Sequence, residues 1–523
     1  MTARAPRGGA RGPPRTRVPG GMSSMDRATF LRRAGGVAAT AAVAGAGGGL
    51  GAALGQTPRA GRKPPLSELA RATTGVLITQ GSGGYRAAQR EVNTRYSGVR
   101  PLAILRARSV SDVRAAVRWC AKYDVRIAAR SGGHSYAGYS TVRGGLVVDL
   151  SRLTGISVAP GGKTVQVGAG NRLIDMYSTL ASRGLTVPAG SCPTVGVAGL
   201  ALGGGVGLAG RALGTTSDNI QSLTVVTAGG EALTCNARQN ADLYWACRGG
   251  GGGNFGIATG FTFTTHAVRT ASYFFASFDW DDVADVVAGW QRWAPNAPPE
   301  LFSLCALTTG SGGPILNVFG QYMGSSSALR RVLGGLTSAA QPRSLQVGSA
   351  RYIDLILRWA GCLDESPAEC RRLPYAPFAA KSSYVLTPVS SGGVATMARW
   401  IERRQGQSSL GSGAILLDSY GGAINDVAAD ATAFVHRNAL YSCQFAAYWG
   451  GSSGAQAAGL SWIRGFYRAM APYVSRYAYQ NYIDPDLTAW KTAYYGQNYA
   501  RLVDVKRQYD PDDLFRFRQS IPV

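Results

Sequence analysis

Arg130-Ser-Gly-Gly-His-Ser-Tyr-Ala-Gly138 is the stretch on which the reading of this chain turns. Residues Val125 to Ala129 ahead of it have the apolar, branched character of a strand, and the chain then bends abruptly through two glycines into His134. Glycine lets a main chain approach a ligand closely and take left-handed angles, so such a loop can set backbone amides against a pyrophosphate. His134 is one of three histidines in 523 residues, which singles it out. The residues alone leave two readings open: a histidine packing a tight turn, and a histidine built into an anion cradle.

Upstream, a short apolar strand begins at Ala103 and a helix follows, signalled by Ser109-x-x-Asp112, a capping box whose side chains can satisfy the first exposed amides. Its apolar face is Val110, Val113, Val117 and Cys120. With Val125 to Ala129 this makes a β-α-β start. Downstream, Leu146 to Asp149 and Val165 to Val167 read as strands, Arg172 to Arg183 as a helix, and Leu223 to Thr234 as a hairpin turning at Gly229-Gly230. Phe261 to Thr265 alternates like a half-buried strand. From about Ala271 to Pro472 aromatic-rich strands (Tyr273 to Phe278, Ile315 to Tyr322) alternate with helical stretches such as Asp282 to Trp293. That change of character marks a second domain. A helix is expected from Leu487 to Gln508, ended by Asp510-Pro511.

Two further glycine motifs follow the first. Gly190-Ser-Cys192-Pro-Thr-Val-Gly196-Val-Ala-Gly199 runs into Leu202-Gly-Gly-Gly205-Val-Gly207-Leu-Ala-Gly210. Gly205, Gly207 and Gly210 satisfy G-x-G-x-x-G, but a cysteine-proline turn stands where a Rossmann strand would end, so the context opposes a nicotinamide site. No Gly-Lys-Ser/Thr follows any of these three glycine motifs, which excludes a Walker-type phosphate loop there. In the third motif five glycines, Gly249 to Gly253, separate Leu243-Tyr-Trp-Ala-Cys-Arg248 from Asn254-Phe-Gly256-Ile-Ala-Thr259. The rigid apolar elements on both sides speak against a flexible linker.

The length favours two domains or one with a large insertion. Hydrophobic residues at 45% against 16% charged exclude a disordered chain. Of the net charge of +25, residues 1–65 contribute +10, from eleven Arg or Lys and one acidic residue. The basic remainder is compatible with acidic substrates, anionic surfaces or nucleic acid, but its arginines are scattered rather than clustered, so no nucleic-acid partner is expected. Residues 1–65 read as an export signal and linker. Arg27, Arg32 and Arg33 precede an Ala/Gly stretch from Ala34 to Leu54, too glycine-rich for a membrane span, and then a polar linker at Gln56 to Pro65. The segment DRATFLR (Asp26 to Arg32) looks like a twin-arginine signal with Ala28 in place of the second arginine, and Met22 and Met25 are alternative starts. A secreted or extracytoplasmic location is expected. There Cys362 and Cys370, in GCLDESPAEC, are expected to pair.

Taken together in this order and spacing, the three glycine motifs resemble the berberine-bridge-like branch of the FAD-linked oxidases, with a vanillyl-alcohol-oxidase-type fold. The likeness runs from about Leu66 to the end and includes YQNYIDPDL (Tyr479 to Leu487) and AYYGQNYARLVDVKRQYDPDDLFRFRQSIP (Ala493 to Pro522). It implies an α+β fold in which a discontinuous flavin domain, residues 66–270 and 473–523, brackets an inserted substrate domain, residues 271–472, with an antiparallel sheet. It implies FAD held covalently by His134 at the flavin's 8α-methyl carbon and by Cys192 at C6. The remaining cofactor contacts would come from Arg130, Ser131, Gly132, Gly133, Ser135, Val195, Gly196, Gly199, Gly203, Gly204, Gly205, Asn254, Gly256, Ile257 and Asn481. No metal is implied.

Tyr482, in NYID, matches the family's base. A phenol titrating near about 10 needs a cation or hydrogen-bonding partner to serve at neutral pH, and Gln444, Tyr384 and Asp418 are the candidates. An anionic Asp418 would oppose a phenolate unless it accepts the proton. The expected activity is oxidation of an alcohol, sugar or secondary-metabolite carbon, with oxygen as electron acceptor. A flavin dehydrogenase using another acceptor and a non-catalytic flavin-fold binding protein are the rivals. The loops Thr308 to Pro314 and Gly411 to Gly413 carry no motif that names a substrate, and nothing in the sequence reports on oligomeric state.

Overall fold

The computed structural model describes residues 64–363, 365–371 and 375–523, so the export signal read in residues 1–65 lies almost wholly outside the described residues. The chain begins with a small mixed sheet ordered Val76–Thr79, Ala103–Arg106, Leu146–Asp149, Ile127–Arg130. The first pair is antiparallel; the other two pairings are parallel. The expected β-α-β order holds along the chain, but Leu146–Asp149 separates the two strands in space. Strand Ile127–Arg130 starts two residues later than its apolar run and delivers the chain straight into the His134 loop.

The helix between those strands, Val110–Tyr123, buries Val113, Ala116, Val117 and Cys120. Half of its capping box forms: Ser109 Oγ accepts from the Asp112 amide at 3.2 Å. The Asp112 carboxylate instead accepts from the backbone amides of Arg108 (2.8 Å) and Thr74 (2.7 Å), tying the helix start to the preceding segment. The hairpin forms with Val226 opposite Ala232 and Gly230 at φ +76. It belongs to a five-stranded antiparallel sheet ordered Ile156–Val158, Thr164–Gly168, Ile257–Thr264, Ile220–Val226, Ala232–Asn236.

The third sheet has seven antiparallel strands, ordered Ser344–Arg351, Thr270–Phe278, Pro314–Tyr322, Leu301–Thr309, Ser412–Ser419, Tyr441–Tyr448, Phe378–Val385. Side chains alternate across it, as a strand's period of two requires. Cys305, Leu307, Ile415, Leu417, Cys443 and Phe445 pack with helices Val283–Trp293, Ser391–Gln405 and Ser453–Met470 on one face. Phe302, Leu304, Leu416 and Ala446 point to the other face and join the core that contains the first two sheets. The α+β fold is therefore a large antiparallel sheet inserted between chain segments that share one core.

The C-terminal segment departs from the expected single helix. Gly496, at φ +49, breaks it into Trp490–Tyr495 and Tyr499–Tyr509, and a short 3-10 turn joins the pieces. A left-handed residue cannot continue a right-handed helix. The second piece carries Lys506, wholly buried, whose ammonium bonds the backbone oxygens of Asn254 (3.0 Å) and Phe515 (2.8 Å) and the carboxylates of Asp510 (2.6 Å) and Asp513 (3.0 Å). Asn254 in turn accepts the Ile521 amide through Oδ1 at 2.9 Å. The chain's end is thus stitched to the glycine-run loop.

Cys362 and Cys370 form the expected disulfide, their Cα atoms 5.7 Å apart. Among the described residues no helix is long and apolar enough to cross a membrane. Replacing Lys506 by Met strands the buried Asp510 carboxylate and takes the partner from the half-buried Asp513, a loss of about 3–5 kcal/mol for the broken buried pair. Lys506→Met should therefore melt several degrees below wild type by circular dichroism, whereas the exposed-pair variant Arg507→Met should melt unchanged.

Candidate active site

One cavity of about 550 Å³ runs from the His134 loop, past the Cys192 turn, to the inner face of the seven-stranded sheet. Ser131, Gly132, Gly133, His134, Ser135, Cys192, Val195, Gly196, Gly199, Gly256, Ile257 and Asn481 all line it, as do Tyr482, Gln444 and Asp418. Residues some 350 positions apart thus share one wall.

The two loops meet through glycine. A Cβ on Gly132 would collide with the Gly196 amide nitrogen and would lie 2.8 Å from the Thr194 carbonyl oxygen. The Cys192 turn is held from behind by helix Leu173–Ala181, whose first amides, those of Leu173 and Ile174, donate to the carbonyls of Val195 (2.9 Å) and Pro193 (3.1 Å). Thr194 Oγ1 then lies 2.9 Å from His134 Nε2 and 3.8 Å from Cys192 Sγ. One hydroxyl therefore touches both the imidazole and the thiol at the cavity wall. Burial, aided by the positive Arg172, holds the His134 imidazole down to about 3, so it is neutral even though one edge faces the cavity. Of the six cysteines outside the disulfide, Cys192 is half-buried and the other five are buried.

Six of the expected site residues stand behind the wall. The Arg130 guanidinium turns away to Asp149 (2.8 Å), Glu91 (3.1 Å) and the Ala88 carbonyl (2.7 Å), a buried cluster that braces the loop from beneath. Asn254 spends its side chain on Gly250 (2.9 Å) and Ile521. Gly203 abuts the side chains of Asn481 and Gln480, Gly204 abuts Phe434, and the Gly205 amide donates to Tyr479 Oη at 2.7 Å. Gly203 thus makes room for the C-terminal segment, Gly204 for Phe434 and Gly205 for the Thr216 side chain. Tyr384 is fully buried; its hydroxyl lies 3.3 Å from that of Tyr420, and it is Tyr420 that lines the cavity.

Tyr482 sits where the two halves of the cavity join. Its ring stacks on Tyr136 at 5.5 Å and meets Tyr479 edge-on at 5.0 Å. Tyr136, two residues after His134, reaches the inserted sheet: its hydroxyl accepts from Gln444 Nε2 at 3.0 Å and its ring meets Phe378 edge-on at 5.0 Å. Asp418 accepts from Ser442 Oγ at 3.4 Å across paired strands. Beyond them the wall is aromatic, with Phe319 and Trp359 stacked at 5.5 Å. Burial pushes Tyr479 up to about 12 and holds Tyr384 and Tyr420 well above the ordinary phenol value, so all three keep their protons at neutral pH. Sequence reasoning passed over Tyr136, Thr194 and Tyr420. The first two lie inside the quoted motifs, and their position beside His134 and Cys192 was the available signal.

Residues 101–236 match a family described as an FAD binding domain, and residues 478–522 match one described as berberine and berberine like. The FAD-linked oxidoreductase YgaK of Bacillus subtilis is 32% identical over 86% of this chain and 97% of its own. Among solved structures, BBE-like 1 of Physcomitrella patens is 34% identical, with a TM-score of 0.80 over 87% of this chain and 98% of that one. A chitooligosaccharide oxidase is 28% identical, with a TM-score of 0.79 over 87% and 99%.

Two predictions concern the loop that carries His134. Gly132→Ala forces the two loops apart, so the purified variant should retain less flavin, read as visible absorbance per mole of protein. Glu91, beneath the loop, has its carboxyl pushed up to about 7 by burial, against the pull of Arg130. Its folded-state value lies above the unfolded one, so the stability it contributes is present at low pH and is lost as pH rises toward 7. Denaturant titrations of wild type and Glu91→Gln should show the wild type losing ground to the variant between pH 4.5 and 7.

Proposed function

Because this chain belongs to the berberine-bridge-like family of FAD-linked oxidoreductases, we propose that it is an oxidase of an alcohol, sugar or secondary-metabolite carbon with a doubly tethered flavin. The observation that carries this reading is the shared reach of Thr194 to His134 and Cys192, in a cavity that continues to Tyr482. The site suits FAD: the glycine-lined loops leave backbone where side chains would intrude, and the neutral imidazole and accessible thiol are nucleophiles of the right kind. In this reading His134 holds the 8α carbon, Cys192 holds C6, and Gly132, Gly133, Ser135 and Gly196 line the cofactor. The flavin domain comprises residues 66–270 and 473–523, and residues 271–472 form the substrate domain. When bound, FAD would supply a two-electron acceptor for hydride from a substrate carbon, with oxygen as the terminal oxidant.

The chain's own residues manage the proton and the substrate. Tyr482 takes the substrate's hydroxyl proton at Oη. Gln444 holds Tyr136 flat against it and so fixes the ring's plane. Tyr420, backed by the buried Tyr384 and kept protonated by burial, supplies a donor at the cavity wall rather than a base. Asp418, on the same wall, is the group that can take a proton onward. Aromatic faces such as Trp359 and Phe319 suit the flat apolar faces of sugar rings or aromatic alcohols. The disulfide supports an oxidising, extracytoplasmic setting for the protein.

The test is to screen oligosaccharides and aromatic alcohols for anaerobic bleaching of the flavin, then count peroxide per turnover in air. One peroxide per substrate oxidised is expected; bleaching without peroxide would make the protein a dehydrogenase. Tyr482→Phe should slow bleaching by about 10²–10⁴-fold, the usual worth of a positioned base, while leaving the flavin in place.

A further inference from the structure

We propose that Thr194 is the positioning residue for flavin attachment, its hydroxyl accepting a hydrogen bond from His134 Nε2 before attachment and donating one to it afterwards. This rests on the tethered-flavin reading above and goes beyond it. Thr194 is buried, and its Oγ1 is 2.9 Å from Nε2. A neutral imidazole carries one N–H and one lone pair, and the partner of one nitrogen decides which is which. With the proton on Nε2 and directed at Thr194, the lone pair is on Nδ1, the atom left to attack.

Attachment forms the bond between Nδ1 and the 8α carbon and breaks one C–H bond of the methyl group. The alkylated ring returns to neutrality by giving up its Nε2 proton. In balance, one proton leaves from Nε2, and one proton with the electron pair of the broken C–H bond leaves from the methyl group. Dioxygen takes both protons and both electrons and departs as hydrogen peroxide. Nε2 ends with a lone pair in place of a proton. A buried acceptor without a partner is costly, so the group facing Nε2 must change from acceptor to donor. A hydroxyl does this by rotating about one bond.

Cys192 Sγ, 3.8 Å from the same oxygen, is the second group served by that rotation. The backbone around Thr194 is fixed by the Pro193 and Val195 carbonyls on helix Leu173–Ala181, so the hydroxyl is held in place while its hydrogen turns.

Thr194→Val keeps the shape and removes both hydrogen-bonding roles; Thr194→Ser restores them. The measurement is made on full-length protein in the Cys192→Ala background, where His134 is the remaining tether. Protein purified with FAD is precipitated with acid, and flavin fluorescence is compared between pellet and supernatant, with native absorbance reporting total flavin bound. Thr194→Val should bind flavin natively but retain about 10–100-fold less in the pellet at a fixed early time, the scale on which residues orienting a ligating histidine act. Thr194→Ser should recover most of it.

Equal retention in Thr194→Val and its parent overturns the proposal and leaves the tether reading standing. A parent and wild type that release all flavin to the supernatant overturn both. If Thr194→Val yields no folded protein, Thr194→Ala, which opens space instead of adding apolar contact, decides by the same comparison.

Discussion

The contact between the backbones at Gly132 and Gly196 sets the distance on which the rest of the site depends. Any side chain at Gly132 would occupy the place of the Gly196 amide, so the absence of one allows two loops from separate parts of the chain to touch. That contact brings Thr194 within reach of His134 and turns two nucleophiles some sixty residues apart into neighbours. Beneath it, the buried Arg130 joined to Asp149 and Glu91 keeps the His134 loop from settling away from its partner. Charge buried this way is weak as a source of stability but costly to break, which makes it a brace.

The far side of the cavity is assembled by the chain's last segment. Lys506 and Asn254 bind the C-terminal tail to the glycine-run loop, and Tyr479 donates no side chain to the core without also accepting the Gly205 amide. Tyr482 rides on this segment and is carried to Tyr136, which itself comes from the His134 loop. A buried ion pair between Lys381 and Asp484, at 2.7 Å, joins the same segment to the edge strand of the inserted sheet. The proposed base is therefore positioned by three parts of the chain at once: the first loop, the inserted sheet and the tail.

Much of this was legible in the residues, and the reason is local. A histidine framed by glycines, a cysteine-proline turn, a five-glycine run and an N-Y-x-D tail are short patterns whose order along the chain carries the family likeness, now matched by relatives spanning nearly their full length. Strand and helix positions followed from periodicity, apart from the C-terminal helix, where Gly496 was read as a residue within a helix although its backbone is left-handed. What stayed hidden was the direction in which side chains point. Arg130 lies in the motif, yet its charge is claimed by Glu91 and Asp149, partners identified by no spacing rule. Tyr384 lies in the right row of the sheet, opposite Ser442, but Tyr420 stands between it and the cavity. Tyr136 and Thr194 needed the fold before their hydroxyls had anything to meet.

The central claim, that the loops at His134 and Cys192 grip one flavin, is tested most directly by peptide mass. Trypsin should release the segment Ser131 to Arg143 and the segment Gly184 to Arg211 as one species, joined through a single flavin and fluorescent in acid. Recovery of these two peptides separately, each at its unmodified mass, from protein that was yellow before digestion would contradict the account.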